Sequence, residues 1–252
     1  MRIKFLADYP AAFITEEKAL VIAELHLGLE HELYKKGIII PPQRESFQKT
    51  IDNLLELTKA KILIILGDIK HKVPGTSIRE ERELPKFFDY LKEKVRIILV
   101  EGNHDGEIEK IVPKGIKIYG SRGFKLGKYG FFHSHAWPSK RLMDCDYLFM
   151  AHTHPALEFR DKFGFRNVEQ VWIKGKLDAE KVKEKYKIKR TGKLNAIVMP
   201  TFNKLLGNMD VNKLVEREYS DSVIMNKLMD MKKSKVYLLD GTLLGSLGQL
   251  KS

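Results

Sequence analysis

Blocks of apolar residues, each of strand or helix length and each ending abruptly in polar residues, punctuate the first half of the chain. "LVIAELHLG", Leu20 to Gly28, opens as an uninterrupted apolar run and closes on Glu24 and His26. Such a run suits a strand buried on both faces. In "PPQRESFQKTIDNLLELTKA", Phe47, Ile51, Leu54 and Leu55 fall at i, i+4, i+7 and i+8, which predicts a helix starting just after the tandem prolines. "KILIILGDIKH" repeats the buried-strand pattern and stops at Gly67 and Asp68. A second helix is predicted in "ELPKFFDYLKEK", with Leu84, Phe87, Phe88 and Leu91 on one face, followed by a third buried strand in "VRIILVEGNHD". The order is βαβαβ, and right-handed crossovers would set these strands parallel with their C-terminal ends at one edge.

Later segments read as strands as well. "YGFFHSHAW" looks like the second arm of a hairpin, and "YLFMAHTHP" is another buried run. "VWIKGK" and "NAIVMPTFNKLLG" predict further strands, and "KVYLLDGTLLGSL" a terminal hairpin around Asp240 and Gly241, where Asp-Gly favours a tight turn. With no repeat, low-complexity stretch or linker, residues 1–252 are expected to form a single domain.

The chemistry collects where these strands end. Glu24 and His26 follow the first, Asp68 and His71 the second, and Asn103, His104 and Asp105 the third. His133 and His135 follow the hairpin strand, and His152 and His154 the next run, so seven of the eight histidines stand at strand exits and only His31 does not. Open sheets bind ligands at the carboxyl ends of their strands, and mixed imidazole and carboxylate donors suit Mn²⁺, Fe, Zn²⁺ or Ni²⁺ better than Ca²⁺ or Mg²⁺. The donors outnumber the three or four protein ligands of one catalytic ion, which predicts two.

Composition narrows the class further. At 252 residues and 43% hydrophobic the chain can bury a sizeable core. No run approaches the ~20 apolar residues of a membrane span, and Met1 to Asp8 lacks a secretory signal, so a cytoplasmic protein without membrane partners is expected. The lone Cys145 excludes an internal disulfide and reads as a small core residue, and Trp137 and Trp172 read as core or rim residues. Net charge is +12, which favours polyanionic partners. In the basic arm from Lys174 to Lys193, nine Lys or Arg face three Asp or Glu. This arm is either a solvated face or a tract that follows a DNA or RNA backbone through Lys183, Lys185, Lys187, Lys189 and Arg190, with Tyr186 available for stacking.

The ordered elements "ELH", "GDIKH", "GNHD", "HSH" and "HTH", spaced 44, 35, 30 and 19 residues apart from Glu24 to His152, resemble the calcineurin-like metallophosphoesterase signature. "LGDIKH", "HTHPAL" and "VMPTFNKLLGN" are similar to its archaeal branch related to the SbcD nuclease subunit. The resemblance implies an α/β fold of αββα type, a two-sheet β-sandwich flanked by helices. It also implies two divalent ions, Mn²⁺ by expectation, with Fe, Zn²⁺ or Ni²⁺ as alternatives. The first would be held by Glu24, His26, Asp68 and His154, and the second by Asp68, Asn103, His133 and His152, with Asp68 bridging. His104, oriented by Asp105, would donate to the leaving oxygen. His71 and His135 fall outside the family's usual ligand set and read as residues that orient ligands or touch phosphate, with a purely structural role equally open for His71. The implied activity is phosphoester hydrolysis, with a nucleic acid or nucleotide phosphodiester as substrate and a metal-bridged hydroxide as nucleophile.

One position departs from the family, which has Asp where this chain has Glu24. The extra methylene lengthens the side chain by ~1.5 Å. One expectation is a weakened first metal site that Glu24→Asp would tighten, and with it a catalytically impaired phosphate- or nucleic-acid-binding protein as the alternative function. A compensating backbone shift would reverse that sign.

Overall fold

A computed structural model describes residues 2–206, 209–210 and 222–250 of the chain. The first sheet runs in sequence order through β1 (Ile3–Phe5), β2 (Ala12–Ile14), β3 (Ala19–Ala23), β4 (Ile62–Leu66), β5 (Arg96–Val100) and β6 (Lys117–Tyr119). From β3 to β6 all neighbours are parallel, as the βαβαβ pattern requires, whereas β1 and β2 pair antiparallel ahead of them. These two strands of three residues are too short for their alternation to stand out in the sequence. Three helices follow β3 and β4: α1 (Leu29–Lys35), α2 (Gln43–Thr58) and α3 (Ile78–Lys92). The polar α1 carries no apolar period and escapes pattern reading. α3 begins at Ile78 rather than at Glu83, because Ser77 and Glu80 form a capping box that satisfies its first amides.

The second sheet contains β7 (Phe124–Leu126), β8 (Tyr129–His133), β9 (Tyr147–Ala151), β10 (Pro155–Arg160), β11 (Arg166–Lys176), β12 (Asn195–Val198) and β13 (Met209–Asp210). Their order is β13-β10-β11-β12-β9-β8-β7, and the hairpin of β14 (Lys235–Leu238) and β15 (Leu243–Ser246) pairs onto β11. Helices α4 (Ala179–Tyr186) and α5 (Val223–Leu228) lie on its outer side. Gly207 and Asn208, the end of "VMPTFNKLLGN", lie outside the described residues.

Side chains alternate between three layers. Val21, Ala23, Ile64, Leu66, Ile98 and Val100 point between the sheets, against Tyr129, Phe131, Phe149, Trp172 and Ile197. Leu20, Ile22, Leu63, Ile65 and Leu99 point outward under Phe47, Ile51, Leu54, Leu84, Phe87 and Phe88 of α2 and α3. Strands covered on both faces have no solvent side, which is why β3, β4 and β5 read as unbroken apolar runs. On the far side, Leu148, Met150, Val171, Ile173 and Val198 pack under Val182, Ile224 and Met225, with Cys145 buried among them. This is the two-sheet sandwich flanked by helices that the motif resemblance implies. Its parallel strands β3, β4, β5, β8 and β9 all end at one edge, and that edge carries the histidines.

Candidate metal centre

The loops at this edge are strained. Glu24, His26, Asp68, His152 and His154 all have positive φ, at 59°, 42°, 44°, 103° and 41°. Each such non-glycine residue costs roughly 1–3 kcal/mol and persists only where its surroundings over-determine it. The two motif glycines are required by space. A Cβ on Gly67 would sit 2.0 Å from the His133 ring, and one on Gly102 would sit 2.0 Å from Asp68 Oδ1.

Glu24 lies at the middle of the cluster, fully buried. Its Oε2 is 3.1 Å from His26 Nε2 and 2.8 Å from His154 Nε2. Its Oε1 is 2.8 Å from His133 Nε2 and accepts the His152 backbone N–H at 2.8 Å. The carboxylate therefore touches candidate ligands of both expected ions, whereas the resemblance assigns it to the first alone. Asp68 lies alongside: Oδ1 accepts the His104 N–H at 2.8 Å, and Oδ2 faces His26 Nε2 at 3.6 Å and His133 Nε2 at 3.7 Å.

Glu24, His26 and His154 form one donor group and Asp68, His133 and His152 another, with the ligand atoms of each group within 4.8 Å of one another. His26, His71 and His104 form a third that shares His26 with the first. Asn103, exposed on the loop between Gly102 and His104, makes no hydrogen bond to the cluster among the described residues.

The outer nitrogens of two candidate ligands meet further histidines. His26 Nδ1 lies 3.2 Å from His71 Nδ1, whose Nε2 is 2.8 Å from Glu32 Oε2 on α1. His133 Nδ1 lies 2.6 Å from His135 Nδ1. A hydrogen bond donated by the outer nitrogen would fix the tautomer whose inner lone pair can bind a cation, in place of its present contact with Glu24. Asp105 acts elsewhere than the resemblance suggests. Its Oδ1 accepts from Ile69 N at 2.8 Å and Lys70 N at 3.2 Å, and its Oδ2 from Gly102 N at 2.8 Å, so it pins two loops to each other. His104 is oriented instead by the carbonyl of His71, to which its Nδ1 hydrogen-bonds at 2.5 Å. A carboxylate saturated by three backbone amides has little left for an imidazole.

Electrostatics keep Glu24 anionic and divide the imidazoles around it. Burial pushes the Glu24 carboxyl up, but the adjacent His133 and His154 outweigh it and hold the group well below the usual carboxylate range. Burial lowers His26 against the pull of Glu24, lowers His135, and together with the His133 charge lowers His152 to about 4. At His133 the effect of burial is overcome by Glu24 and Asp68, which raise it. Burial and the Asp68 charge raise Asp105 to about 7. Buried imidazole and carboxylate donors gathered within reach of one another are the donor set a divalent transition ion takes, and a cation bound there would displace the proton that Glu24 and Asp68 favour on His133, so the residues fit the metal that the motifs imply.

Three supports were not legible in the sequence. Glu80, the helix cap, also accepts the His71 and Lys72 amides at 2.9 and 2.8 Å and holds the "GDIKH" loop. Thr201 Oγ1 donates to the Glu24 carbonyl at 3.0 Å, and Asn203 Nδ2 to the Leu25 carbonyl at 2.9 Å. The capping box was the available signal for Glu80; Thr201 and Asn203 had none beyond their place in "VMPTFN".

Part of the basic tract is the helix α4, anchored to the body by buried Val182. Lys183 pairs with Glu180 at 2.8 Å, the Lys185 ammonium lies 4.0 Å from the centroid of half-buried Trp137, and the Tyr186 hydroxyl donates to the Pro138 carbonyl at 3.0 Å. Lys187, Lys189 and Arg190 follow, exposed, next to the loop that continues from His135.

Two sheets with histidines and carboxylates gathered at their strand ends define a class of fold and site in which phosphoester hydrolysis is common. The calcineurin-like phosphoesterase family model matches residues 17–225, and the chain belongs to that family. No curated protein matches the sequence. Among solved structures, the Pseudomonas putida nuclease MPE is similar over 96% of this chain and 93% of that one, with 16% identity and a TM-score of 0.57. The phosphoesterase Yfce from E. coli, at 20% identity, covers 57% of this chain and 74% of its own, with a TM-score of 0.34. Vps29 from Entamoeba histolytica, complexed with zinc, covers 76% and 80% at 14% identity and a TM-score of 0.32. At these identities the nuclease supports the fold, and the other two likenesses carry no further weight. No described helix is long and apolar enough to cross a membrane.

Proposed function

We propose that this phosphoesterase hydrolyses phosphodiesters, of nucleic acid or nucleotides, with two divalent cations held by the Glu24/His26/His154 and Asp68/His133/His152 groups. The observation that carries the reading is the placement of Asp68 Oδ2, 3.6 Å from a nitrogen of one group and 3.7 Å from a nitrogen of the other. One carboxylate oxygen facing both groups is what a bridging ligand needs. Divalent cations bound there would neutralise phosphate charge and supply an activated water. His104, its Nδ1 engaged with the His71 carbonyl, turns Nε2 toward Asp68, and in its protonated form it donates to the leaving oxygen. Mn²⁺ remains the expected metal, and "LGDIKH" with "HTHPAL" supports placement near the SbcD-related archaeal branch. A cytoplasmic single-domain protein completes the reading.

Purified protein should carry two metal equivalents and turn over bis-p-nitrophenyl phosphate faster than p-nitrophenyl phosphate. A strict preference for the monoester would overturn the diester assignment.

Glu24 decides between enzyme and impaired binder, and the geometry favours the enzyme. Both oxygens of its carboxylate are engaged, and between them they reach both donor groups. Withdrawing the head by ~1.5 Å would break those bonds. Glu24→Asp is therefore expected to weaken metal binding by about 10- to 100-fold, the range seen when support around a metal ligand is removed. Titration followed by calorimetry checks this; tighter binding would restore the expectation of a weakened site.

The basic tract bears on substrate size. Neutralising Lys187, Lys189 and Arg190 together should weaken DNA or RNA binding and flatten its salt dependence by about one slope unit for each phosphate no longer neutralised, while leaving turnover of the small diester unchanged. Unchanged affinity and slope would make the tract a solvated face.

A further inference from the structure

The backbone sets His26 and His71 side by side. Past the end of β3, His26 N donates to the Asp68 carbonyl at 2.8 Å and Leu27 N to the Ile69 carbonyl at 2.8 Å, while His71 N returns a bond to the Leu27 carbonyl at 3.1 Å. Gly28 then turns the chain with a φ of 106°, and α1 begins at the next residue. One helical turn along, Glu32 reaches back to the "GDIKH" loop.

A chain of nitrogens therefore leads out of the first donor group. His26 Nδ1 lies 3.2 Å from His71 Nδ1, and His71 Nε2 lies 2.8 Å from Glu32 Oε2. A cation on His26 Nε2 leaves the His26 proton on Nδ1, where it donates to His71 Nδ1. That acceptor must be bare, so His71 carries its own proton on Nε2, and the proton points at Glu32. Each link admits one assignment, and the last acceptor is a carboxylate. Glu32 divides its oxygens between two partners, Oε1 taking the Lys36 ammonium at 2.5 Å and Oε2 facing His71. The second donor group has no such end: His133 Nδ1 meets His135 Nδ1 at 2.6 Å, and among the described residues His135 meets no carboxylate within ion-pair distance.

We infer that Glu32, which lies outside every motif, is a positioning residue of the first metal site: acting through His71, it holds His26 with the Nε2 lone pair turned to the ion. The inference rests on the metal reading above and adds a residue, and a task for α1, that the motifs do not supply. A carboxylate at the outer end of a ligating imidazole fixes the ring and its tautomer and makes the inner nitrogen a stronger donor. An exposed Glu–Lys pair within one helix would instead contribute little, and nothing at the metal. Because only one of the two donor groups ends on such a carboxylate, the other serves as the internal reference.

The test is calorimetric titration of the metal-free full chain with diamagnetic Zn²⁺, paired with proton–nitrogen correlation spectra of the histidine rings, for wild type, Glu32→Ala and Lys36→Ala. In the Zn²⁺-loaded wild type, His26 should hold its proton on Nδ1 and His71 on Nε2. Glu32→Ala should weaken the binding step that moves the His26 signals by about 10- to 100-fold and leave the step that moves the His133 signals within about 2-fold. It should also abolish the slowly exchanging His71 Nε2 proton. Lys36→Ala, which breaks the ion pair within the same helix and spares the His71 bond, should change neither step. Two unchanged steps in Glu32→Ala overturn the inference and leave Glu32 a surface partner of Lys36. Equal weakening of both steps, or the same weakening in Lys36→Ala, reduces α1 to packing and overturns it as well. Wild-type protein whose His26 signals do not respond to Zn²⁺ overturns the metal reading itself, and the inference with it.

Discussion

Asp68→Asn should reduce bound metal from two equivalents to one or fewer and lower phosphodiesterase turnover by about 10³-fold. The substitution is nearly isosteric, so its effect isolates charge. Oδ1 can still accept the His104 amide, a bond of 2.8 Å. The other arm becomes an NH₂ donor facing His26 Nε2 and His133 Nε2, where Asp68 presents an anionic oxygen at 3.6 and 3.7 Å. An amide nitrogen cannot ligate a cation, and a missing Lewis acid forfeits several kcal/mol of transition-state stabilisation, each 1.36 kcal/mol being tenfold in rate. Elemental analysis of the purified variant reads the stoichiometry independently of activity. Two equivalents retained at full occupancy would remove Asp68 from the bridging role.

His104→Ala should lower kcat by about 10²-fold or more while leaving metal content unchanged, the range expected for loss of a positioned general acid. Asp68 Oδ1 binds the backbone N–H of His104 rather than its ring, so the loop keeps this anchor when the ring is removed. The ring itself is held by the His71 carbonyl, with Nε2 4.0 Å from Asp68 Oδ2. A leaving-group comparison separates proton donation from simple positioning. Diesters that release p-nitrophenolate need little protonation and should lose far less rate than diesters that release an alkoxide or a nucleoside hydroxyl. Equal losses on both substrates, or a parallel loss of metal, would assign His104 to positioning or ligation instead.

Much of this centre is legible in the order of residues alone. Continuous apolar runs in β3, β4 and β5 are a local signal, set by burial on both faces, and the residues that end them are read in the same pass. His26, Asp68, His133, His152 and His154 are found where such runs stop. The short β1 and β2, the polar α1, and β10 with the extension of β11 ahead of "VWIKGK" were not legible, because each depends on what it packs against or fails to cover.

By itself, then, the sequence determined the long buried strands, the two long helices on the first sheet and the inventory of donors at one edge, since periodicity and chain order are properties of neighbouring residues. Only the tertiary structure decided which donor meets which. Glu24 reaches His133 across 109 residues of chain, Asp105 ties amides 35 and 36 residues away, and Thr201 holds the Glu24 carbonyl from 177 residues away. Pairings at that separation are set by strand register and sheet packing. A single methylene at Glu24 acquires its meaning there, by deciding whether one carboxylate serves one donor group or two.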